Sequence, residues 1–121
     1  GATINELCDE YLKNLKEQFG NNIKVTDDFK YEWTYIPHIY ESPFYCYAYA
    51  FGNLLTLALY EMYQEQGVKF AEKIIEMLSK GGSESPVAIT KAVGVDICSE
   101  AFWQKGFDAI KKMIEKIESG K

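Results

Sequence analysis

The sequence predicts an all-α fold of about five helices that form a single helical unit over residues 1–121. Apolar side chains recur at three- and four-residue spacing along most of the chain, which is the pattern of amphipathic helices. No segment alternates apolar and polar residues for long enough to predict a strand. A length of 121 residues suits one domain, and 47% hydrophobic against 26% charged residues is a globular composition.

The first predicted helix covers residues 3–19, where apolar residues occupy one face, and Gly20 follows in the usual position beyond a helix C-terminus. The segment that leads from there to Tyr40 is rich in aromatic residues. Pro37 is expected to make this segment irregular, because proline fixes its own φ and disfavours a helical conformation for the preceding residue.

Two Ser-Pro pairs predict helix starts, since serine is a favoured N-cap and proline suits the first helical position. Ser42-Pro43 predicts a second helix from Pro43 to about Gln66. Ser85-Pro86 predicts a shorter helix that ends near Gly94. Apolar spacing predicts the remaining two helices over Val68–Ser79 and from Glu100 to about Glu118.

The second predicted helix is apolar on nearly every face, because only three small or polar residues interrupt the run from Phe44 to Tyr60. A helix of this kind belongs at the centre of a large domain or in a membrane. The run is slightly shorter than the ~20 residues of a membrane span, and its flanks are Glu41 and Glu61 rather than lysines. We therefore expect no membrane span, and a central helix that packs against further protein, either the remainder of a domain or a second copy.

The formal net charge of −5 argues against general binding to nucleic acid or to an anionic membrane, because both require a basic surface. The three cysteines are odd in number and widely spaced, so a disulfide framework is not expected. This favours a reducing, cytoplasmic location, and no signal peptide is predicted. Because the sequence begins with Gly1 rather than methionine, we expect it to be part of a longer polypeptide.

Aromatic residues concentrate around the only histidine, His38. Ten of the eighteen aromatic residues lie between Phe29 and Phe51, and no lysine or arginine occurs from Tyr31 to Val68. Tyrosine is neutral at pH 7, so its hydroxyl can donate a hydrogen bond to an oxygen that gains negative charge. The alternative is a core in which each tyrosine bonds a backbone carbonyl and His38 is inert.

The sequence predicts no metal site within the chain itself. It contains one histidine and neither His-Glu-x-x-His nor Cys-x-x-Cys, the spacings typical of zinc ligands. Cys46 is expected to be a buried structural residue rather than a nucleophile beside His38, because an apolar helix disfavours the reactive thiolate. By its own residues, the chain cannot complete a catalytic site.

A distinctive string runs from Trp33 to Gly52 and reads Trp-x-x-Ile-Pro-His-Ile-Tyr-x-x-Pro-Phe-Tyr-x-Tyr-x-Tyr-Ala-Phe-Gly. Three further segments follow it in order, Leu-Ser-Lys-Gly-Gly-Ser at 78–83, Val-Gly-Val-Asp-Ile at 93–97 and Phe-Trp-Gln-Lys-Gly at 102–106. Together they resemble the C-terminal part of oligoendopeptidase F, a group of zinc metallopeptidases in the thimet oligopeptidase family.

The resemblance implies a C-terminal helical segment of a larger peptidase catalytic domain that hydrolyses short peptides in the cytosol. In that family the zinc ligands and the catalytic glutamate belong to a region upstream of the matched segment, and their motif does not occur here. Zinc is therefore expected in the full-length parent and not on this chain alone. Short peptides are the expected substrates, and the remainder of the catalytic domain or a second copy is the expected protein partner.

The resemblance also implies roles for residues of the aromatic cluster. His38 matches a histidine that contacts substrate and stabilises the tetrahedral intermediate. The family's oxyanion-stabilising tyrosine falls on Tyr47 or Tyr45, and Tyr47 is favoured. His38 and Tyr47 are thus the predicted catalytic residues, and the predicted substrate-binding residues are His38, Tyr40, Tyr45 and Tyr47.

A second interpretation belongs to a different class of protein. The chain would be a free-standing helical protein-interaction module that uses its aromatic segment as a docking surface. A His-Glu-x-x-His motif in the sequence immediately upstream would favour the peptidase over this module.

Overall fold

Five α-helices and two 3₁₀ helices make up the regular structure of residues 1–42 and 44–120, which the computed structural model describes. The α-helices are α1 (Ile4–Phe19), α2 (Tyr47–Gln66), α3 (Val68–Ser79), α4 (Pro86–Ala92) and α5 (Glu100–Glu118), and the 3₁₀ helices are Asp27–Tyr35 and Pro37–Ile39. No strand occurs in these residues. The predicted all-α fold with about five helices is confirmed.

The chain divides into two compact units, Gly1–Tyr47 and Ala48–Lys121. The first contains α1 and both 3₁₀ helices, and the second contains α3, α4, α5 and all of α2 after its first residue. The single helical unit expected over residues 1–121 stays a prediction.

In the first unit, α1 starts at a capping box. The Thr3 hydroxyl accepts a hydrogen bond from the Glu6 backbone N–H at 3.3 Å, and the Glu6 carboxylate accepts one from the Thr3 backbone N–H at 2.7 Å. These bonds satisfy N–H groups that have no partner within the helix. Because the carboxylate is the form that accepts them, the Thr3 backbone and hydroxyl lower the pKa of Glu6.

Three side-chain contacts join α1 to the 3₁₀ helix Asp27–Tyr35. They are the Tyr11 hydroxyl to Oε2 of Glu32 at 2.8 Å, Nζ of Lys16 to Oδ1 of Asp27 at 3.2 Å, and the indole N–H of Trp33 to Sγ of Cys8 at 3.4 Å. Cys8 is buried, whereas the other two contacts lie at the surface. The Trp33–Cys8 contact is therefore the part of this interface that is removed from water.

In the second unit, a core of apolar residues is shared by α2, α3, α5 and the α4–α5 connection. Its buried members are Ala58, Leu59, Phe70, Val93, Val95 and Phe102. The amphipathic spacing of α3 and α5 places Phe70 and Phe102 on the faces that meet this core.

The Phe-Trp-Gln-Lys-Gly segment of α5 contacts α2 closely. The rings of Trp103 and Phe51 have centroids 5.1 Å apart. A Cβ atom on Gly106 would lie 2.8 Å from the backbone carbonyl oxygen of Leu54, so only glycine permits this approach. Two ion pairs, Lys105–Glu65 and Lys112–Glu61, cross between the same helices.

The start of α2 differs from the prediction. Pro43 lies outside the described residues, and the helix begins at Tyr47, after a turn over residues 44–46. Phe44 has a φ of 63°, a left-handed conformation that a right-handed helix through this residue excludes. The predicted helix start at Ser42-Pro43 is therefore wrong. The prediction that Cys46 is buried is wrong for the same reason, because Cys46 belongs to this turn and is exposed.

The apolar second helix is only partly covered by the residues that the structure describes. Among them, Ala58 and Leu59 are the buried members of α2, whereas the side chains of Tyr49 and Tyr60 are 59% and 51% exposed. No helix in the described part of the chain is long and apolar enough to cross a lipid bilayer. The expectation that α2 packs against further protein stays a prediction.

Candidate functional site

The predicted site residues lie close together in sequence at the end of the first unit. His38 is in the 3₁₀ helix Pro37–Ile39, and Tyr40 follows directly. Pro37 occupies the first position of this short helix, where its fixed φ is suitable and no N–H donor is required. Tyr45 lies in the turn before α2, and Tyr47 is the first residue of α2.

His38 and Tyr45 are brought together by stacking. Their ring centroids are 5.3 Å apart, and their ring planes differ by 12°. The His38 side chain is half-buried, while Tyr45 is 49% exposed. This offset aromatic contact limits the orientations that the imidazole can adopt.

Tyr40 is instead held by Trp33. The Tyr40 hydroxyl donates a long hydrogen bond of 3.3 Å to the Trp33 backbone carbonyl, and the two ring centroids are 5.8 Å apart. Trp33 is in turn fixed to α1 through its N–H bond to Cys8. Sequence reasoning did not assign this anchoring role to Trp33, although the residue opens the distinctive string.

Tyr47 is the most exposed of the three predicted site tyrosines. Its side chain is 69% exposed. None of the described residues accepts a hydrogen bond from its hydroxyl or donates one to it. A phenol hydroxyl in this position can donate to a ligand without first breaking a bond within the described chain.

In the segment from Tyr31 to Tyr47 the formal charges are the carboxylates of Glu32 and Glu41, because no lysine or arginine occurs there. Desolvation raises the pKa of Tyr11 to about 12, and the hydrogen bond and negative charge of Glu32 add to the effect. Tyr11 therefore stays neutral at pH values well above the ordinary pKa of a tyrosine.

The described residues do not supply a metal site. They contain no group of three or more histidine, cysteine, aspartate or glutamate side chains that could hold a metal ion. The site residues of the first unit are aromatic rings with phenol and imidazole hydrogen-bonding groups. They can stack on a ligand and donate hydrogen bonds to it.

The sequence pattern of Peptidase family M3 matches residues 1–109. The chain therefore belongs to Peptidase family M3, which is a metallopeptidase family. The resemblance described from the sequence motifs is confirmed by this match.

Several curated proteins are similar to the chain. An "Oligoendopeptidase F homolog" of Borreliella burgdorferi is 33% identical over 112 residues, covering 93% of the chain and 19% of that protein. "Oligopeptidase PepF" of Bacillus subtilis is 30% identical over 91% of the chain and 16% of its own length. "Group B oligopeptidase PepB" of Streptococcus agalactiae is 28% identical over 93% of the chain and 20% of its own length.

The chain thus spans about a fifth of the length of the curated relatives that it matches. No solved structure gives a significant match to it.

Proposed function

We propose that this chain is the C-terminal part of a zinc-dependent oligopeptidase that hydrolyses short peptides in the cytoplasm, and that it supplies substrate-binding and oxyanion-stabilising side chains. The observation that carries the proposal is the arrangement of the first unit in a chain of Peptidase family M3: His38 stacks on Tyr45, and Tyr47 exposes its hydroxyl two residues further on.

The zinc of this proposal is bound outside the chain. The described residues offer no set of metal ligands, so they do not fit a zinc ion, and none of the steps assigned to them passes through one. When bound by the rest of the peptidase, zinc supplies Lewis-acid chemistry. The chain alone is then expected to be inactive.

Tyr47 is proposed as the oxyanion donor. During peptide hydrolysis the carbonyl oxygen gains negative charge, and a fixed hydroxyl stabilises that charge if it points at the oxygen. The side chain of Tyr47 is exposed at the first residue of α2, so its hydroxyl can donate a hydrogen bond to that oxygen. Removal of one such donor typically reduces kcat by ~10²–10³.

His38 is proposed to donate a hydrogen bond to the substrate and to the same developing oxyanion. Its stacking on Tyr45 supports this role, because a ring held in one orientation aims its N–H group at little entropic cost. Tyr45 accordingly has two proposed functions: it orients His38, and it is the alternative oxyanion donor.

Tyr40 is proposed as a further substrate contact. Its hydroxyl proton is directed to the Trp33 carbonyl, which leaves the oxygen lone pairs and the ring face for a peptide. We expect this residue to affect substrate binding more than turnover, because it offers an acceptor and a surface rather than a free donor.

A hybrid protein tests the proposed function. It is the Borreliella burgdorferi relative with its matched segment replaced by this chain, which aligns over 112 residues. We expect the hybrid to hydrolyse a short fluorogenic peptide and His38→Ala to lower kcat/KM by ~10²-fold, as for the loss of one fixed donor. Tyr35→Phe is the control, since Tyr35 is 86% exposed outside the site and should not affect turnover. An active hybrid that is indifferent to His38→Ala would contradict the proposal.

A further inference from the structure

The second unit contains an apolar groove between α2 and α3 that is unrelated to the site residues. Its volume is about 540 Å³, and most of its lining is hydrocarbon. The residues that define it are Leu55, Leu59 and Tyr63 on α2 and Ala71, Ile74 and Leu78 on α3. Leu78 is 68% exposed and Tyr60, which also lines the groove, is 51% exposed, so this contiguous apolar surface is open to solvent.

The spacing of the lining residues gives the groove the shape of a helix-binding site. Leu55, Leu59 and Tyr63 recur every four residues along one face of α2, and Ala71 and Leu78 are two turns apart on α3. Each wall is therefore roughly 10–12 Å long. An amphipathic helix of two to three turns, with apolar residues at i, i+3 or i+4, and i+7, fits such a groove, and the small Ala71 leaves room for its backbone.

We propose that the groove docks an amphipathic helix from the part of the peptidase polypeptide that lies outside this chain. The proposal rests on the proposed place of the chain in a longer peptidase. All groove residues lie within residues 1–109, the part matched by the family, and the chain accounts for only 16–20% of the length of the compared relatives. The groove thus belongs to the part that this chain shares with much longer polypeptides. Covering several hundred Å³ of open apolar volume removes apolar surface from water, which is favourable, so we expect another segment of such a polypeptide to occupy the groove.

A second copy of this chain is a less suitable occupant. Each copy carries a formal net charge of −5, so two copies repel each other. The chain has another exposed apolar surface on the C-terminal half of α5, where Ile117 is 79% exposed, and this part follows the family match. We do not propose that this α5 surface contacts the rest of the peptidase, so it serves as the control surface for the groove.

The test compares Ala71→Arg with Ile117→Arg in the isolated chain and in the hybrid protein. Each variant adds one positive charge, the first inside the groove and the second on α5. In the isolated chain both variants should melt within ~2 °C of the parent, because Ile117 is exposed and the half-buried Ala71 lines an open groove from which an arginine side chain can reach solvent. In the hybrid, Ala71→Arg should lower the melting temperature by ~5 °C or more, whereas Ile117→Arg should not.

Each possible outcome decides the assignment. Equal melting temperatures of the two hybrid variants would overturn it, and so would a hybrid that fails to fold although the relative itself folds. Light scattering on the isolated chain adds a further test: a dimer that Ala71→Arg converts to monomers would make a second copy the occupant and contradict the proposal. A hybrid that folds and responds selectively to Ala71→Arg but hydrolyses no peptide would support the groove and contradict the proposed function.

Discussion

Two glycines in helix interiors show how strongly a single residue depends on its surroundings. Gly106 of α5 lies against α2, and an added Cβ would meet the Leu54 carbonyl oxygen at 2.8 Å. Gly52 of α2 has nothing within 4 Å of the same position. The helix propensity of alanine exceeds that of glycine by about 1 kcal/mol in both cases. The difference in packing therefore decides whether a glycine-to-alanine substitution raises or lowers the free energy of unfolding.

We predict that Gly106→Ala lowers the free energy of unfolding by ~1–3 kcal/mol, because the backbone of Leu54 must move to admit the methyl group. Gly52→Ala should raise it by up to ~1 kcal/mol, since it restricts the unfolded chain without a clash. Urea denaturation of the 121-residue chain measures both values. Changes of the same sign would show that the α2–α5 approach is not close.

The pKa of Tyr11 predicts a pH dependence for the first unit. Burial is the main cause of the rise from 10.0 to about 12, and Glu32 contributes through its hydrogen bond and charge. Because the pKa of Tyr11 is higher in the folded state than in the unfolded state, ionisation of this residue opposes folding. The free energy of unfolding of the first unit should therefore be unaffected by Tyr11 below pH ~10 and should fall as the pH rises toward ~12. Glu32→Gln should lower the pKa of Tyr11, which a tyrosinate absorbance titration can measure against Tyr11→Phe. An unchanged pKa would mean that the Tyr11–Glu32 contact does not persist in solution.

At the level of single residues, the sequence identified the aromatic cluster but not its internal contacts. The stacking of His38 on Tyr45 and the bond from Tyr40 to Trp33 depend on two 3₁₀ helices and a turn. Spacing rules for α-helices and strands do not describe such segments. The roles of these residues in substrate binding stay predictions.

Among the helices, the two Ser-Pro pairs show where sequence signals succeed and where they do not. Ser85-Pro86 starts α4 as predicted, with the Ser85 hydroxyl accepting a hydrogen bond from the Ala88 N–H at 3.2 Å. The same dipeptide at Ser42-Pro43 is followed by Phe44 with positive φ, so α2 begins only at Tyr47. The local signal is identical, and the difference arises from the conformation of the residues that follow.

The bounds of the other helices were predicted closely. α3 and α5 occupy Val68–Ser79 and Glu100–Glu118, and α1 begins one residue after the predicted start. In these segments the apolar spacing and the end signals agree, which is the condition under which local patterns specify structure.

Two serines at N-cap positions provide a prediction at this scale. Ser85→Ala should lower the free energy of unfolding of the second unit by ~1 kcal/mol, because it removes a cap bond. Ser99 precedes α5 but makes no side-chain cap bond, so Ser99→Ala should cost much less. Hydrogen exchange of the amides in the second unit measures both effects. Equal losses would indicate that the Ser85 bond adds nothing to stability.

For the whole molecule, the exposure of apolar side chains agrees with a chain that is completed by other protein. The sequence predicted this from the all-round apolar character of α2, because the remaining helices offer too little surface to cover it. It could not predict which surface stays open, since the position of the α2–α3 groove depends on how α3 and α5 pack against α2. The sequence places the site residues within one segment, whereas the catalytic metal and its ligands are proposed to lie outside the chain.

Metal analysis gives a prediction for the isolated chain. After dialysis against a chelator and then zinc, the 121-residue chain should retain well under one zinc ion per molecule, because a stable zinc site needs three or four ligands in suitable geometry. The described residues offer no such group. Tightly held stoichiometric zinc, together with peptide hydrolysis by the isolated chain, would show that the site is located differently from our proposal.

The central claim is that this segment supplies the oxyanion donor, and the kinetics of Tyr47→Phe in the hybrid protein test it most directly. The substitution removes one hydroxyl and keeps the ring, so we predict a fall of ~10²-fold in kcat, equal to ~2.7 kcal/mol, with little change in KM. Tyr35→Phe, which removes a hydroxyl from a still more exposed tyrosine elsewhere in the first unit, should leave kcat unchanged. A hybrid in which Tyr47→Phe and Tyr45→Phe both turn over as fast as the Tyr35→Phe control would contradict the account.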